Sequence, residues 1–514
     1  MKHIELFAGC GGLSLGLEAA GFELYFANEL SPMAAETFAF NIMNEDLQTE
    51  VNPTKSLWIN SQYKKGDKKR LTENPFTAIK NKYNKNKDLI GQVDLNEKLL
   101  IGDINQLNKF VNRTAIKNNI RAEKIDLVSG GPPCQSFSLA GRREKNNKRN
   151  NLPWAFAEFV KTVKPKMVLL ENVSGILRPF KEEGKEYHAW FEVAKAFCLS
   201  GYVPICIHIN AKYFGLPQNR PRFIMLAIRY DLTKSLMKDK VLLRGIGLYR
   251  RVRRFGKDIK LSEKDGFFEL NNNKDLENFK ESIYLPKPKL ESKFKSVEYG
   301  IDKLKYLQNE FNSTSLIGDE YFEILQASFE KATKDDFIVK NHNQRNHTTK
   351  IANRFKFLKL IEEFENGDKI KLIHALKIGS IIELNERLKE ELVRKFKGIS
   401  DNSELEKFVS EHRSKKHSQR ALVKDRPAPA TLSIPDDVCH YDLKLDRTLT
   451  VREMARIQSF PDWFEFRAKD TTGGTNRRFE VPNYTQVGNA VPPLLGKALG
   501  DWLRIILDEI NHEV

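Results

Sequence analysis

The chain has 514 residues, which is too long for one typical core and predicts two lobes. Its 40% hydrophobic and 30% charged residues are typical of a soluble globular protein, and no apolar run approaches the roughly 18 residues of a membrane span. The N-terminus leads directly into strand-like sequence, without the pattern of a signal peptide. The net charge of +17 indicates a polyanionic partner, most simply nucleic acid, although lysine bias from an AT-rich genome would produce the same balance.

The five cysteines are scattered and form no CxxC pair. This spacing predicts a reducing compartment and argues against disulfides and structural zinc. Cys10 and Cys439 are interpreted as bystanders. His342 and His347 of the stretch NHNQRNH have no Cys/His ligand set beside them, so we expect structural or DNA contacts there rather than a metal site.

The chain opens with a strand at residues 3–7, a glycine turn that contains Gly9 and Gly11, and a helix closed by Gly21. This order is typical of a nucleotide-type α/β fold. The turn matches neither GxGxxG nor GxxxxGK[ST], so no pyrophosphate or triphosphate cradle is indicated. We expect its glycines to let the backbone approach an uncharged part of a ligand.

Acidic residues follow the next two predicted strands. The strand at 24–27 leads to Glu29, and the strand at 98–101 leads to Asp103. A carboxylate at the end of a second strand is where a ribose diol is usually held, although a solvated loop acid is an equal alternative for Glu29 on this pattern alone. The segment between them, residues 44–97, is rich in Lys and Asn, and we interpret it as a polar insertion with some helical content rather than a core element.

A strand that ends at Val128 is followed by Gly-Gly-Pro-Pro and then by Cys134. The two prolines restrict the loop, so the thiol is presented in a nearly fixed position. A cysteine in such a position could act as a nucleophile in its thiolate form, although an isolated Pro-Cys pair is more often inert.

A second carboxylate follows one βαβ unit later. A helix is predicted at 152–163, Pro165 ends it, and a strand at 167–170 leads to Glu171. The carboxyl ends of parallel strands meet at one edge of a sheet, so Glu171 is expected on the same edge as the Cys134 loop. Beyond a helix at 186–200 and a strand at 203–210, Arg220 and Arg222 alternate at a strand start and therefore point to the same side.

Composition changes after residue 230. The segment to about residue 425 has weak α/β alternation, interspersed aromatics and basic patches such as YRRVRR at 249–254. These arginines are candidates for phosphate contacts, with a solvated basic face as the alternative. Regular secondary structure is predicted again from about residue 426. Further along this segment, Thr450 and Glu453 have the spacing of a helix capping box.

Six segments, in this order, closely resemble the cytosine-5 DNA methyltransferases. They are FAGCGGLSLGLEAAGF, GGPPCQSFSLAG, ENVSGIL, QNRPR, RTLTVREMARIQSFPD and YTQVGNAVPP. The resemblance implies an α/β, Rossmann-like fold with a mostly parallel sheet, of the S-adenosylmethionine-dependent methyltransferase type. It also implies a catalytic and cofactor domain at 1–231, with the polar insertion at 44–97, a target-recognition domain at 232–425, and a C-terminal part at 426–514 that completes the cofactor pocket.

The same resemblance implies a catalytic group of four residues. Cys134 would attack carbon 6 of a flipped-out cytosine, Glu171 would contact ring nitrogen 3 and the exocyclic amine, and Arg222 would bind the carbonyl oxygen. Arg220 would orient the site or a phosphate. The cofactor would be S-adenosylmethionine, and the residues implied to hold it are Phe7, Gly9, Gly11, Glu29, Asp103, Ile104, Leu152, Asn489 and Ala490.

Duplex DNA is the expected partner, and no membrane or metal is expected to take part. We further expect a monomer in the cytoplasm of a bacterium, associated with the nucleoid and forming the modification half of a restriction–modification system. A cognate endonuclease encoded nearby is one possibility, and a solitary methyltransferase is the alternative. Two alternatives stay open: methylation of a cytosine in transfer RNA, and a DNA-binding relative that has lost catalysis.

Overall fold

The structure is a computed structural model that describes residues 1–49, 53–59, 94–133, 152–182, 185–233, 238–270, 275–291, 293–330, 336–414, 416, 419–430 and 435–512. No helix in these ranges is both long and apolar enough to cross a membrane.

A twisted sheet of nine strands forms the centre of the described residues. In chain order the strands are β1 Lys2–Leu6, β2 Glu23–Glu29, β3 Ser56–Trp58, β4 Lys98–Ile101, β5 Leu127–Gly130, β6 Met167–Val173, β7 Tyr202–Asn210, β8 Pro221–Arg229 and β9 Phe268–Glu269. Their order across the sheet is β9-β7-β8-β6-β5-β1-β2-β4-β3. Within this sheet only β8 runs against its neighbours β6 and β7, and the other described strand pairs are parallel. The predicted mostly parallel α/β sheet is therefore confirmed.

Helices cover the sheet and build the rest of the molecule. Those that precede residue 260 are α1 Gly12–Ala19, α2 Pro32–Ile42, α3 Ile104–Val111, α4 Thr114–Ala122, α5 Leu152–Val163, α6 Ala189–Leu199 and α7 Lys240–Phe255. Those that follow are α8 Leu276–Glu281, α9 Val297–Ile301, α10 Glu320–Ser328, α11 Thr349–Ile361, α12 Asn366–Ile378, α13 Glu386–Lys395, α14 Asn402–Glu411, α15 Val451–Ile457, α16 Asn483–Asn489 and α17 Pro493–His512.

The segment predicted as a polar insertion requires a correction. Ser56–Trp58 pairs in parallel with Lys98–Ile101 and forms the last strand at one edge of the sheet. Trp58 is 8% exposed and Leu95 is fully buried, so apolar side chains anchor both ends of the described part of this segment. A strand of three residues is too short to produce a recognisable alternation, and the surrounding lysines and asparagines conceal it.

The last helix packs against the first. A Cβ placed on Gly16 of α1 would lie 2.5 Å from the backbone of Gly496 and Lys497 in α17. Only glycine permits this close approach of the two backbones. The C-terminal segment is thereby fixed against the helix that follows the opening glycine turn.

The residues after 238 do not all leave the central domain. Helix α7 packs against β7, and its Tyr249 and Val252 belong to the same hydrophobic core as the sheet strands. A separate core, which includes Phe355, Leu372 and Leu392, unites α11 to α14. The predicted division at residue 231 therefore does not coincide with a break in packing; the more independent packing unit is the four-helix cluster of residues 349–411.

The predicted capping box at the start of α15 is confirmed. The Glu453 amide donates to Thr450 Oγ1 at 3.1 Å, and the Thr450 amide donates to Glu453 Oε2 at 2.8 Å. The same carboxylate receives both terminal nitrogens of the buried Arg447 at 2.7 Å. This ionic contact, together with burial, fixes the start of a helix whose residues are all buried.

Candidate active site

Four predicted site elements meet at one edge of the sheet. Glu29 and Glu171 lie at the carboxyl ends of parallel strands, and Gly130 ends the strand between β1 and β6. Arg222 lies at the amino end of β8, and because β8 runs in the opposite direction this end falls on the same edge. The edge therefore carries carboxylates, a guanidinium and the loop that leads to Cys134, which itself lies outside the described residues.

Glu171 and Arg222 form a buried ion pair. Arg222 Nε lies 2.7 Å from Glu171 Oε1, and the side chains are only 9% and 11% exposed. The contact is an ion pair rather than a well-aligned hydrogen bond. Burial lowers the pKa of Arg222, and the neighbouring Glu171 carboxylate opposes that effect. A charged pair at this depth can hold the polar edge of a base, because each partner offers a donor or an acceptor in a site shielded from water.

Arg220 connects the start of β8 to the C-terminal segment of the chain. Its Nη2 donates to the carbonyl oxygens of Gly488 and Ala490, each at 2.9 Å. Its Nε and Nη1 are buried and have no hydrogen-bond partner in the described part of the chain. Burial and the adjacent Arg222 hold the pKa of Arg220 well below its usual value. Two unsatisfied donors on a buried cation indicate a site suited to an electronegative ligand atom.

The loop after β5 lies directly against Glu171. Asn172 Nδ2 donates to the carbonyl of Pro132 at 3.0 Å, and a Cβ on Gly131 would lie 3.1 Å from Glu171 Oε2. Residues 131–133 are thus held over the carboxylate by the side chain that follows it in β6. The glycine at 131 leaves Glu171 the space that a larger residue would take.

A hydrogen-bonded series beside this site was not predicted. Ser174 Oγ lies 2.8 Å from His208 Nε2, and His208 Nδ1 lies 2.7 Å from Glu269 Oε2. His208 and Glu269 are opposite one another in the pairing of β7 with β9. The three residues come from distant parts of the sequence, and no motif in it marks them.

The glycine turn and Glu29 hold one another. The Gly9 amide donates to Glu29 Oε2 at 2.8 Å, and the Ser31 amide donates to Oε1 at 2.7 Å. Burial raises the pKa of this carboxyl. Gly9 and Gly11 both have positive φ, and a Cβ on Gly9 would meet no atom within 4 Å. The turn therefore borders open space, next to an oriented carboxylate.

The other residues predicted to hold the cofactor have different surroundings. Phe7 has an unusual φ of 57° for a non-glycine residue, and its ring lies 6.4 Å from that of Phe156. Asp103 caps α3 by accepting from the Asn105 amide at 2.8 Å, so part of its carboxylate already has a structural partner. Ile104 is buried, and Leu152 is half-buried against the main core.

Two neighbouring residues of the C-terminal segment, Asn489 and Ala490, differ in their exposure to solvent. Asn489 is exposed at the end of α16, whereas Ala490 is 9% exposed and gives its carbonyl to Arg220. The Gly12 turn lies against the same segment, since a Cβ there would be 2.3 Å from the Val491 carbonyl oxygen. The first and last motifs of the sequence are therefore in direct contact.

Residues interpreted as bystanders are buried. Burial raises the pKa of both the Cys10 and the Cys439 thiol, in the latter case to about 12. His342 Nε2 donates to the Leu304 carbonyl at 3.0 Å, and its Nδ1 lies 2.9 Å from Thr450 Oγ1, so this histidine makes structural contacts. No group of three or more potential metal ligands occurs within the described ranges.

A mostly parallel α/β sheet with one reversed strand, a glycine turn that borders open space at Gly9, and a buried carboxylate–arginine pair at the carboxyl edge are the features of a group-transfer enzyme of the methyltransferase class. The family model described as C-5 cytosine-specific DNA methylase matches residues 1–72 and 76–504. The chain belongs to the C-5 cytosine-specific DNA methylase family, and it is a DNA (cytosine-5-)-methyltransferase.

Full-length relatives agree with this assignment. The type II methyltransferase M.DdeI of Desulfomicrobium norvegicum is 26% identical, over 99% of this chain and 90% of its own length. The type II methyltransferase M.Bpa9945I of Bacillus paralicheniformis is 27% identical over 99% of both chains. Among solved structures, the methyltransferase EhMeth of Entamoeba histolytica covers 99% of this chain and 98% of its own at 11% identity and a TM-score of 0.42, a likeness too distant to support a further conclusion.

Proposed function

We propose that this enzyme methylates carbon 5 of a cytosine that is flipped out of duplex DNA, through a covalent adduct between Cys134 and carbon 6. The observation that carries the proposal is the buried Glu171–Arg222 pair at 2.7 Å beneath the loop that leads to Cys134. Carbon 5 of cytosine is a poor nucleophile, so a nucleophile must first be added at carbon 6. The family membership of the whole chain supports this chemistry.

Each residue of the pair has a distinct task in the proposal. Glu171 places a proton on ring nitrogen 3 and accepts a hydrogen bond from the exocyclic amine, and Arg222 donates to the carbonyl oxygen. The protonated ring is electron-poor, so the Cys134 thiolate adds at carbon 6. Carbon 5 then carries the electron density needed to accept a methyl group. A base removes the carbon 5 proton, and the carbon–sulfur bond breaks with its electron pair on sulfur, which leaves as the thiolate. The ring regains its aromaticity, and nitrogen 3 returns its proton to Glu171.

Arg220 acts at the boundary of the two ligand positions. Its Nη2 is committed to the carbonyls of Gly488 and Ala490, while Nε and Nη1 stay available on the buried side. We propose that it fixes the C-terminal segment relative to Arg222, two residues away. A nearby cation also favours the thiolate form of Cys134, whose unperturbed pKa of about 8.5 leaves only a small ionised fraction at neutral pH.

The methyl donor we propose is S-adenosylmethionine, which supplies a methyl group on a positively charged sulfur. The open space at Gly9 fits the methionine end, and the oriented Glu29 carboxylate fits the ribose hydroxyls. Phe7 and Ile104 would border the adenine ring with Leu152, Asp103 would meet the adenine edge, and Asn489 with Ala490 would close the pocket. Gly11 keeps its role in the turn, where a Cβ would lie 2.9 Å from Ile42.

The type II names of the relatives support a place as the modification half of a bacterial restriction–modification system, and hence a cytoplasmic enzyme. The test of the substrate class is transfer of tritiated methyl groups to duplex DNA and to transfer RNA in parallel. Incorporation into DNA is expected, and incorporation confined to RNA would overturn the proposal. Bisulfite sequencing of DNA from a host that expresses the chain then gives the recognition sequence.

A further inference from the structure

Helix α7 carries a group of arginines that the active site does not use. The helix has six basic residues and no acidic one in its sequence KVLLRGIGLYRRVRRF. Three of them, Arg250, Arg253 and Arg254, are exposed, and we call them the α7 arginine face. Their spacing of three and four residues places them along one side of the helix.

Among the described residues, none of these three arginines has an acidic partner. Arg251, next to them, is held by Asp265 at 2.7 Å, whereas no carboxylate in the described ranges pairs with the α7 arginine face. Arg254 lies over the ring of Phe255, at 5.1 Å from its centroid, and that phenylalanine is 60% exposed. An uncompensated cationic surface next to an exposed aromatic ring is suited to a polyanion.

The choice of residue also argues for a ligand. The chain contains 56 lysines and 29 arginines, so its composition favours lysine. The four basic residues between 250 and 254 are nevertheless all arginine. The planar guanidinium binds two phosphate oxygens at once, which the lysine ammonium cannot do. Lysine bias, which explains much of the net charge, does not explain this group.

The α7 arginine face lies at the end of the strands opposite to the active site. Tyr249 stacks on Tyr230, directly after the end of β8, and Arg253 Nη1 donates to the Leu199 carbonyl at 3.5 Å, at the end of α6. Arg222 lies near the other end of β8. It is seven residues from Arg229, the last residue of the strand, which corresponds to about 23 Å. DNA seated at the catalytic edge therefore cannot reach these arginines without bending around the domain.

We propose that the α7 arginine face is a second, sequence-independent binding site for the phosphate backbone of duplex DNA, separate from the duplex held at the catalytic edge. The position of that first duplex rests on the proposed function. A stiff duplex of 16 base pairs is far shorter than the persistence length of about 150 base pairs, so it cannot occupy both sites. One chain therefore binds two short duplexes, and on long DNA it holds a second segment or a neighbouring molecule.

The experiment is a stoichiometric titration of the full chain with a 16-base-pair duplex at low salt, read by sedimentation. The wild type is expected to bind two duplexes, and the triple variant Arg250→Ala/Arg253→Ala/Arg254→Ala one. The matched control Lys109→Ala/Arg113→Ala/Arg121→Ala loses the same charge from other helices and is expected to bind two. The triple lysine variant at the α7 positions retains the charge and should still bind two, with lower affinity.

Salt dependence gives a second readout. Loss of three phosphate contacts should reduce the slope of log Kobs against log salt on long DNA by about 2.7. A wild type that binds one duplex, or an alanine variant that binds two, would overturn the second site and leave the arginines as stabilisers of the helix end. Methyl transfer at saturating DNA should be equal in the wild type and the alanine variant. If the wild type methylates DNA but binds only one duplex, the second site is refuted and the proposed function is not. If it binds two duplexes but does not methylate DNA, the proposed function is refuted and the second site is not.

Discussion

At the scale of single residues, the Glu171–Arg222 pair determines what the site can do. Removal of one partner leaves the other charge buried without compensation, at a cost of roughly 3–5 kcal/mol for a pair of this kind. Glu171→Gln should therefore reduce methyl transfer by at least about 100-fold, because the polarising carboxylate is lost, and should also lower the melting temperature. The measurements are single-turnover methyl transfer and calorimetry.

Glu277→Gln is the matched control, since Glu277 is 73% exposed and its ion pair among the described residues is with Lys280 on the surface. It should change neither quantity. Near-normal methyl transfer by Glu171→Gln would exclude the role given to the carboxylate.

Glu5 gives a prediction about pH. This carboxyl is buried in β1 beside the Ser14 hydroxyl, and burial raises its pKa to about 8. The folded state therefore binds a proton that the unfolded state releases near pH 4.5, so stability is highest below that pH and falls as pH rises towards 8. The expected slope is about −1.4 kcal/mol per pH unit across this window.

Glu5→Gln removes the titrating group and keeps an acceptor for Ser14. The difference in unfolding free energy between this variant and the wild type should grow from pH 5 to pH 8 in favour of the variant, as measured by denaturant titration at each pH. Parallel pH profiles for the two proteins would show that Glu5 is ionised when folded.

Among the secondary-structure elements, the end of β6 contacts three other parts of the chain: β8, the loop after β5, and β7. Glu171 contacts Arg222, Asn172 holds the Pro132 carbonyl, and Ser174 begins the series with His208 and Glu269. We infer that this series positions the turn after Glu171. Ser174→Ala and Glu269→Ala should each reduce kcat about 5- to 20-fold with little change in KM, and the double variant should be no worse than either, because residues that act as one unit are not additive.

Glu269→Gln retains an acceptor for His208 and should restore most of the rate. Ser262→Ala is the control, because Ser262 bonds Asp265 in a similar polar cluster remote from the site. Additive losses of kcat in the double variant would mean that the series has only a structural role. The same conclusion would follow if Ser262→Ala lowered kcat as much as Ser174→Ala does.

The contact between α1 and α17 makes a prediction about stability. Gly16→Ala places a Cβ 2.5 Å from the backbone of Gly496, so we expect a loss of about 1–3 kcal/mol in unfolding free energy. Gly247→Ala in α7 is the matched helical glycine, since its Cβ would meet nothing within 4 Å, and it should be neutral or stabilising by up to about 1 kcal/mol. Denaturant unfolding of both variants tests this. Equal changes in the unfolding free energy of the two variants would show that α1 and α17 move apart easily to accommodate the added methyl group.

Local elements were predictable where the pattern was long and clearly ended. Residues 152–163 and 98–101 are a helix and a strand with the predicted bounds, because apolar periodicity and Pro165 mark the first and an apolar run before Gly102 marks the second. The predicted helix at 186–200 instead begins at Ala189, since residues 185–187 form one strand of a short hairpin. The strand Ser56–Trp58 was missed because three residues carry too little pattern.

For the molecule as a whole, the sequence identified the enzyme family and not the contacts that assemble the site. Arg220 reaches carbonyls 268 and 270 residues away, and His208 meets Ser174 and Glu269 across 34 and 61 residues. No local pattern encodes such distances, because they depend on how the strands are ordered. The α7 arginines were predicted to belong to a lobe that reads DNA. In the structure α7 packs against the sheet, so these arginines lie on the domain that carries the active site.

The central claim is that Cys134 attacks a cytosine held by Glu171 and Arg222. The most direct test is incubation of the full chain with S-adenosylmethionine and duplex DNA in which 5-fluorocytosine replaces cytosine, because fluorine at carbon 5 prevents release of the adduct. We predict a denaturation-stable complex whose mass equals chain plus DNA plus one methyl group, less the proton that the Cys134 thiol loses, and none with Cys134→Ala. A wild-type enzyme that methylates ordinary DNA yet forms no such complex, or a Cys134→Ala variant that forms it, would contradict the account.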